Sequence, residues 1–250
     1  MSRLLRAVPM TRHAPLARTA EGHHEEVDVR PRPGPQERGG YEWLSAERTD
    51  AYLSRERSPE RQVELGAAHA LMLDLLSQPP DAAFRFMDLG AGAGAVSASL
   101  MARFPAATGV LVEFSAPMMR AGAEALAGYA GRYAYVEHDL NSEAWPPALR
   151  GPFSAVVSAR AIHHLENRAR RRLFRGVRGA LEVGGVFVNW DLYRGAGEAS
   201  AGGEDGSDPE ERTIAGVEEQ LDLMRSAGFA DVECAHVLGH RAVFFGRRQA

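Results

Sequence analysis

Phe86-Met87-Asp88-Leu89-Gly90-Ala91-Gly92-Ala93-Gly94 decides the fold. An apolar run ends in an acid and a glycine-rich turn, and an Ala/Val/Leu-rich segment with helical spacing follows. That order reads as a buried parallel strand, a tight turn, and a helix whose first N–H groups face a ligand. Glycines let the backbone turn sharply and come within contact distance of that ligand. Nucleotide, phosphate and flavin sites all use such loops, so the glycines alone do not name the ligand. Asp88 narrows the choice. A carboxylate there repels a pyrophosphate and suits an ammonium or sulfonium charge, which favours S-adenosylmethionine over NAD.

Outward from this loop the chain alternates. A strand near 84–89 feeds a helix near 93–103, and Thr108 to Glu113 forms a second strand. A helix near 116–128 leads to a third strand near 133–138, and Phe153 to Ser158 forms a fourth. A helix from about 161 to 181 precedes a fifth strand, Gly184 to Trp190. Such alternation predicts right-handed βαβ units and a mostly parallel, doubly wound α/β sheet, with ligands beyond the carboxyl ends of the strands. A helix near 210–227 and two closing strands, 230–238 and 241–247, complete the chain, the last pair antiparallel across a tight turn.

Before the loop, Ser58-Pro59 reads as an N-cap with proline at the first helical position. Ala68, Leu71, Met72, Leu75 and Leu76 then space one buried helical face. Residues 1–40 lack any sustained apolar period and read as a disordered tail, leaving 41–250 as the folded domain. Residues 41–60 introduce Trp43 and Tyr52, candidate lid and substrate-binding residues. Residues 194–209 read as a flexible linker.

Composition narrows the function classes. A net charge of −4 gives no general drive toward nucleic acid or an anionic membrane. Cys234 is the single cysteine, which excludes an internal disulfide framework and a cysteine-based zinc site. No uncharged apolar run reaches the roughly 18 residues of a spanning helix. A cytoplasmic protein is expected.

The chemistry gathers at the strand ends. Glu113, about twenty residues beyond the glycine loop, can accept both ribose hydroxyls of a nucleoside. Asp139 can accept from an adenine amino group while the Leu140 N–H donates to the ring. Phe114 and Met118 are candidates to pack on the purine faces. His163 and His164 begin the segment after the fourth strand, and Asp191 closes the fifth. Histidine suits proton removal near neutral pH, and an acid on the neighbouring strand can orient it. The His-His pair next to Glu166 does not read as a metal site, because adjacent helical side chains diverge by about 100°.

These residues resemble class I (Rossmann-like) S-adenosylmethionine-dependent methyltransferases, particularly the small-molecule branch. The similarity rests on Asp88 to Gly94, Val112 to Ser115, His138-Asp139-Leu140, Ser158 to Leu165 (SARAIHHL) and Leu181 to Val188 (LEVGGVFV). Gly216 to Cys234 and Phe244 to Arg247 look like the family's ending. The resemblance implies a seven-stranded sheet with the last strand inserted antiparallel. It implies that Asp88, Gly90, Gly92 and Gly94 hold the methionine portion, Glu113 the ribose and Asp139 the adenine, with Ser158 in the cofactor-binding set. It implies methyl transfer to an O, N or C acceptor on a small molecule, with S-adenosylhomocysteine as product. His163, His164 and Asp191 become the catalytic candidates. Arg160 departs from the small or apolar residue common at its position and joins Trp43 and Tyr52 as a substrate-binding candidate.

Three other readings compete. Arg168, Arg171, Arg172 and Arg175 form a basic stripe within 168–178, which an RNA-modifying methyltransferase could lay along phosphates. No interleaved aromatics accompany it, and a solvated face explains it. A non-catalytic S-adenosylmethionine-binding protein would share the same loop. An NAD-dependent oxidoreductase fits Gly90, Gly92 and Glu113 but not Asp88 and Asp139.

Overall fold

A computed structural model describes residues 41–194 and 214–250. The expected tail at 1–40 lies outside them, as does nearly all of the expected linker.

Tyr41–Leu44 is a 3-10 turn, followed by α1 (Ala46–Glu56) and α2 (Pro59–Asp74). Ser45 and Ser58 cap the two helices through their side chains, accepting from Arg48 N and Arg61 N, with Pro59 opening α2 as expected. β1 (Arg85–Leu89), α3 (Ala95–Arg103), β2 (Thr108–Glu113), α4 (Ala116–Ala125) and β3 (Tyr133–Glu137) follow. Then come β4 (Phe153–Ala159), α5 (Asn167–Ala180), β5 (Leu181–Leu192), α6 (Val217–Ser226), β6 (Ala230–Leu238) and β7 (Arg241–Arg247).

The seven strands form one sheet in the order β3-β2-β1-β4-β5-β7-β6. β1 to β5 pair in parallel, and β7 runs antiparallel between β5 and β6. This is the doubly wound sheet with an inserted antiparallel strand that the sequence pattern and the resemblance imply.

Successive strand residues point to opposite faces, so the sheet carries two cores. Phe86, Leu111, Val157, Val188 and Trp190 pack with Leu65, Met72 and Leu100 of α2 and α3. Met87, Val112, Val156, Phe187 and Phe244 pack with Leu173, Val177 and Met224 of α5 and α6. Each such side chain, fully buried, contributes roughly 1.5–3 kcal/mol.

Two boundaries differ from expectation. The helix expected from about 161 is divided: Ile162–His164 is a separate 3-10 turn, and α5 begins at Asn167. Leu165 is extended (φ −88, ψ 141) and sinks into the core, and Glu166 (φ −67, ψ 155) then starts the helix anew. α6 begins at Val217 because Arg194 and Gly216 form a β-bridge just before it.

Candidate functional site

The glycine loop leaves β1 with three left-handed residues, Gly90, Gly92 and Gly94 (φ 65, 54 and 81). At Gly92 a side chain is disfavoured by the backbone rather than by neighbours, since an added Cβ would meet nothing within 4 Å. That flank of the loop is open. Its other groups are tied down: Gly92 N donates to Glu113 Oε2 (2.8 Å), and the Tyr135 hydroxyl donates to Gly92 O (2.9 Å). Tyr135 reaches the loop across Gly122 of α4, where an added Cβ would lie 1.9 Å from the hydroxyl.

The acids at the ends of β1, β2 and β3 occupy different environments. Asp88 is buried at 1% exposure and accepts from Ser97 Oγ (2.6 Å). Burial raises its pKa to about 7, and the nearby Glu113 adds to this against the Ser97 bond. Glu113, also buried, accepts from Phe114 N (2.9 Å) and Ser115 N (2.8 Å) on Oε1 besides Gly92 on Oε2. A carboxylate offers about four acceptor positions, so about one remains for a ligand hydroxyl in this arrangement. Asp139 is exposed, its Oδ1 accepting from Asn141 N (2.8 Å) and Nδ2 (3.1 Å). Met118 is buried in the first turn of α4, Phe114 is half-buried, and Leu140 reaches toward Gly90. Ser158 is fully buried, its hydroxyl donating to Leu89 O (2.9 Å) and clamping β4 to β1 at the mouth of the loop.

At the ends of β4 and β5 the histidine pair and Asp191 come together. Asp191 is buried, with Oδ1 2.5 Å from His163 Nδ1 and Oδ2 accepting from His163 N (3.0 Å). Burial would raise the Asp191 pKa, but His163, the Leu192 N–H and Arg170 together hold it below the usual value. The carboxylate is therefore ionised and the His163 ring nitrogen is the donor. The His164 ring lies 4.0 Å from that of His163, centroid to centroid. Burial and the neighbouring His163 lower its pKa to about 4. Beneath the turn, Arg170 donates to Ile162 O and His163 O (3.2 Å each). The turn is braced from below by one guanidinium.

The segment 43–56 lies over this edge. The Ser115 hydroxyl donates to Trp43 O, tying the strap to the start of α4. The Trp43 ring meets Tyr52 edge-on (5.1 Å) and faces His164 at 6.3 Å. Arg160 donates to the Tyr52 hydroxyl (2.5 Å) and, bidentately, to Glu56 (3.1 and 2.8 Å). The three substrate-binding candidates thus form one connected group.

Residues 86–185 match the family model described as a methyltransferase domain. The chain has the class I methyltransferase fold. Similar folds include an O-methyltransferase family protein from Burkholderia thailandensis, 17% identical with a TM-score of 0.64, covering 84% of this chain and 62% of that one. A putative O-methyltransferase from Nostoc punctiforme is 18% identical, with a TM-score of 0.58 and coverage of 75% and 58%. PigF with S-adenosylhomocysteine is 18% identical, with a TM-score of 0.59 and coverage of 82% and 60%. The chain spans less than two thirds of the length of each of these structures. No curated protein matches it.

The site also gathers residues that sequence reasoning missed. Tyr135 was hidden in an alternating strand, Arg170 in a run of arginines, and Glu56 in a charged helix. For Tyr135 a usable signal existed: Gly122, a small residue amid α4, marks a close approach. The basic stripe is partly engaged in structure, since Arg172 donates to Asn141 O and Arg178 to Gly228 O.

Proposed function

We propose that this chain is an S-adenosylmethionine-dependent methyltransferase acting on a hydroxyl of a small molecule. The observation that carries the reading is the glycine loop with an open flank at Gly92, held by Glu113 and set on the same sheet edge as the His163–Asp191 pair. The residues fit the cofactor. A side chain at Gly92 would fill the open flank, Glu113 retains an acceptor position for ribose, and Asp139 offers an exposed carboxylate to adenine. The cofactor supplies an electrophilic methyl group on sulfur.

In this reading the chain's own groups align the acceptor and manage its proton. Trp43 and Tyr52 would hold the acceptor against the sheet edge, with its hydroxyl turned toward the methyl group that the cofactor would supply. His163 takes the hydroxyl proton, and Asp191 stabilises the resulting imidazolium. His164, neutral near pH 7, serves as an aromatic wall. The ties of Arg172 and Arg178 to backbone carbonyls, and the likeness in fold to two O-methyltransferases, support a small-molecule acceptor over RNA. In the same reading the domain spans 41–250, with 41–60 as its lid, in a cytoplasmic enzyme. Among the described residues no helix is long and apolar enough to cross a membrane.

Calorimetric titration with S-adenosylhomocysteine and with NAD tests the reading. Binding of the first and not the second is expected, and the reverse overturns it.

A further inference from the structure

Five charged side chains join the strap to the sheet edge. Glu56 pairs with Arg160 and with Arg61 (3.2 Å), Arg61 also pairs with Glu64, and Glu64 with Arg241 (3.0 Å). Three guanidiniums face two carboxylates, a surplus of one positive charge. Four of the five side chains are at most 20% exposed, so water offsets the surplus only in part. His69, on the same patch, contributes nothing to the balance, because burial and then Arg160 lower its pKa to about 4.

The surplus sits beside Trp190. The Arg160 and Arg241 guanidiniums each lie 5.6 Å from its ring, and among the described residues neither buried Nε–H has an acceptor. Arg160 also holds a left-handed backbone (φ 57), a conformation that costs a non-glycine residue of its size. A glycine would relieve that cost, so the side chain is kept against it. Its Tyr52 partner continues through Trp43 to His164, which connects the surplus charge to the wall of the acceptor site.

We propose that the methyl acceptor is an aromatic carboxylate, its ring against Trp43 and Tyr52 and its carboxylate paired with the Arg160 end of the network. The inference rests on the methyltransferase reading and names its substrate class. Glu56 already occupies the Arg160 fork, so the acceptor's carboxylate is drawn by the uncompensated charge of the network and removes the surplus.

Calorimetry on the full chain saturated with S-adenosylhomocysteine, with 4-hydroxybenzoate and 4-hydroxybenzamide as probes, tests this. The acid is expected to bind at least tenfold more tightly than the amide, and Arg160→Gln to abolish that preference while S-adenosylhomocysteine still binds. If Arg160→Gln does not fold, Arg241→Gln removes the same unit of charge and is expected to cut the preference at least threefold. Equal binding of the two probes, or binding of neither, to the saturated chain overturns the proposal. Failure of S-adenosylhomocysteine itself to bind overturns the methyltransferase reading instead.

Discussion

Glu113 holds three backbone N–H groups on one carboxylate, two from its own strand end and one from the glycine loop. Glu113→Ala therefore frees the loop as well as removing a ribose acceptor. S-Adenosylhomocysteine affinity is expected to fall by roughly 1–3 kcal/mol, the cost of losing a charge-assisted bond, as read by calorimetry. The histidine pair separates in the same way. His163→Ala is expected to lower kcat by about 10²–10⁴, the usual contribution of a positioned base, with cofactor affinity retained. His164→Phe keeps an aromatic wall against Trp43 and is expected to retain most of kcat; equal losses in the two variants would contradict the division of roles. The positions of Asp88, Glu113 and Asp139 were legible because each ends a strand on the ligand edge. Their hydrogen bonds were not, since Glu113 turns onto backbone groups that no residue pattern specifies.

The 3-10 turn at Ile162–His164 shows where periodicity misleads. Ile162, Leu165, Ala169 and Leu173 are all buried at spacings of three and four, so one apolar stripe runs across a break in the helix. Side chains of the turn and of α5 enter the same core, which makes one long helix and a turn plus helix alike in sequence. The strands were easier to read, because their short apolar runs end sharply at glycine, acid or proline. Arg170 ties the two pieces together. Arg170→Met would leave the Ile162 and His163 carbonyls without this donor and cost about 1.5–3 kcal/mol per lost charged bond. The expected result is a lower denaturation midpoint and a reduced kcat, because the turn carries His163, with S-adenosylhomocysteine affinity largely kept.

Across the whole molecule, buried ionisable groups set the response to pH. Asp88, raised to about 7, favours the folded state below its unfolded value of 3.8, a contribution lost as pH climbs to about 7. His69 and His164, lowered from 6.5 to about 4, act oppositely: their contribution is full above pH 6.5 and lost as pH falls toward 4. Glu113, also raised by burial, acts with Asp88, and His138, also lowered by burial, acts with the other two histidines. Three imidazoles outweigh two carboxyls below pH 6.5, so stability should peak near pH 6.5 and decline into acid. Urea melts from pH 4.5 to 8 check this. Asp88→Asn should flatten the slope between pH 6.5 and 7, and His69→Gln should shallow the acid limb.

The insertion of β7 between β5 and β6 carries a consequence for biogenesis. β6 leaves the ribosome before β7, yet its sheet partner is β7 alone. Until Arg241–Arg247 emerges, the nascent chain exposes the open edge of β5 with nothing yet made to cover it. A hairpin of β6 and β7 that closes first and then docks as a unit would shorten that interval, whereas a pause in translation near residue 240 would lengthen it. Chaperone demand during synthesis should therefore persist until this last hairpin is made, after β4 has already closed the second edge of β1.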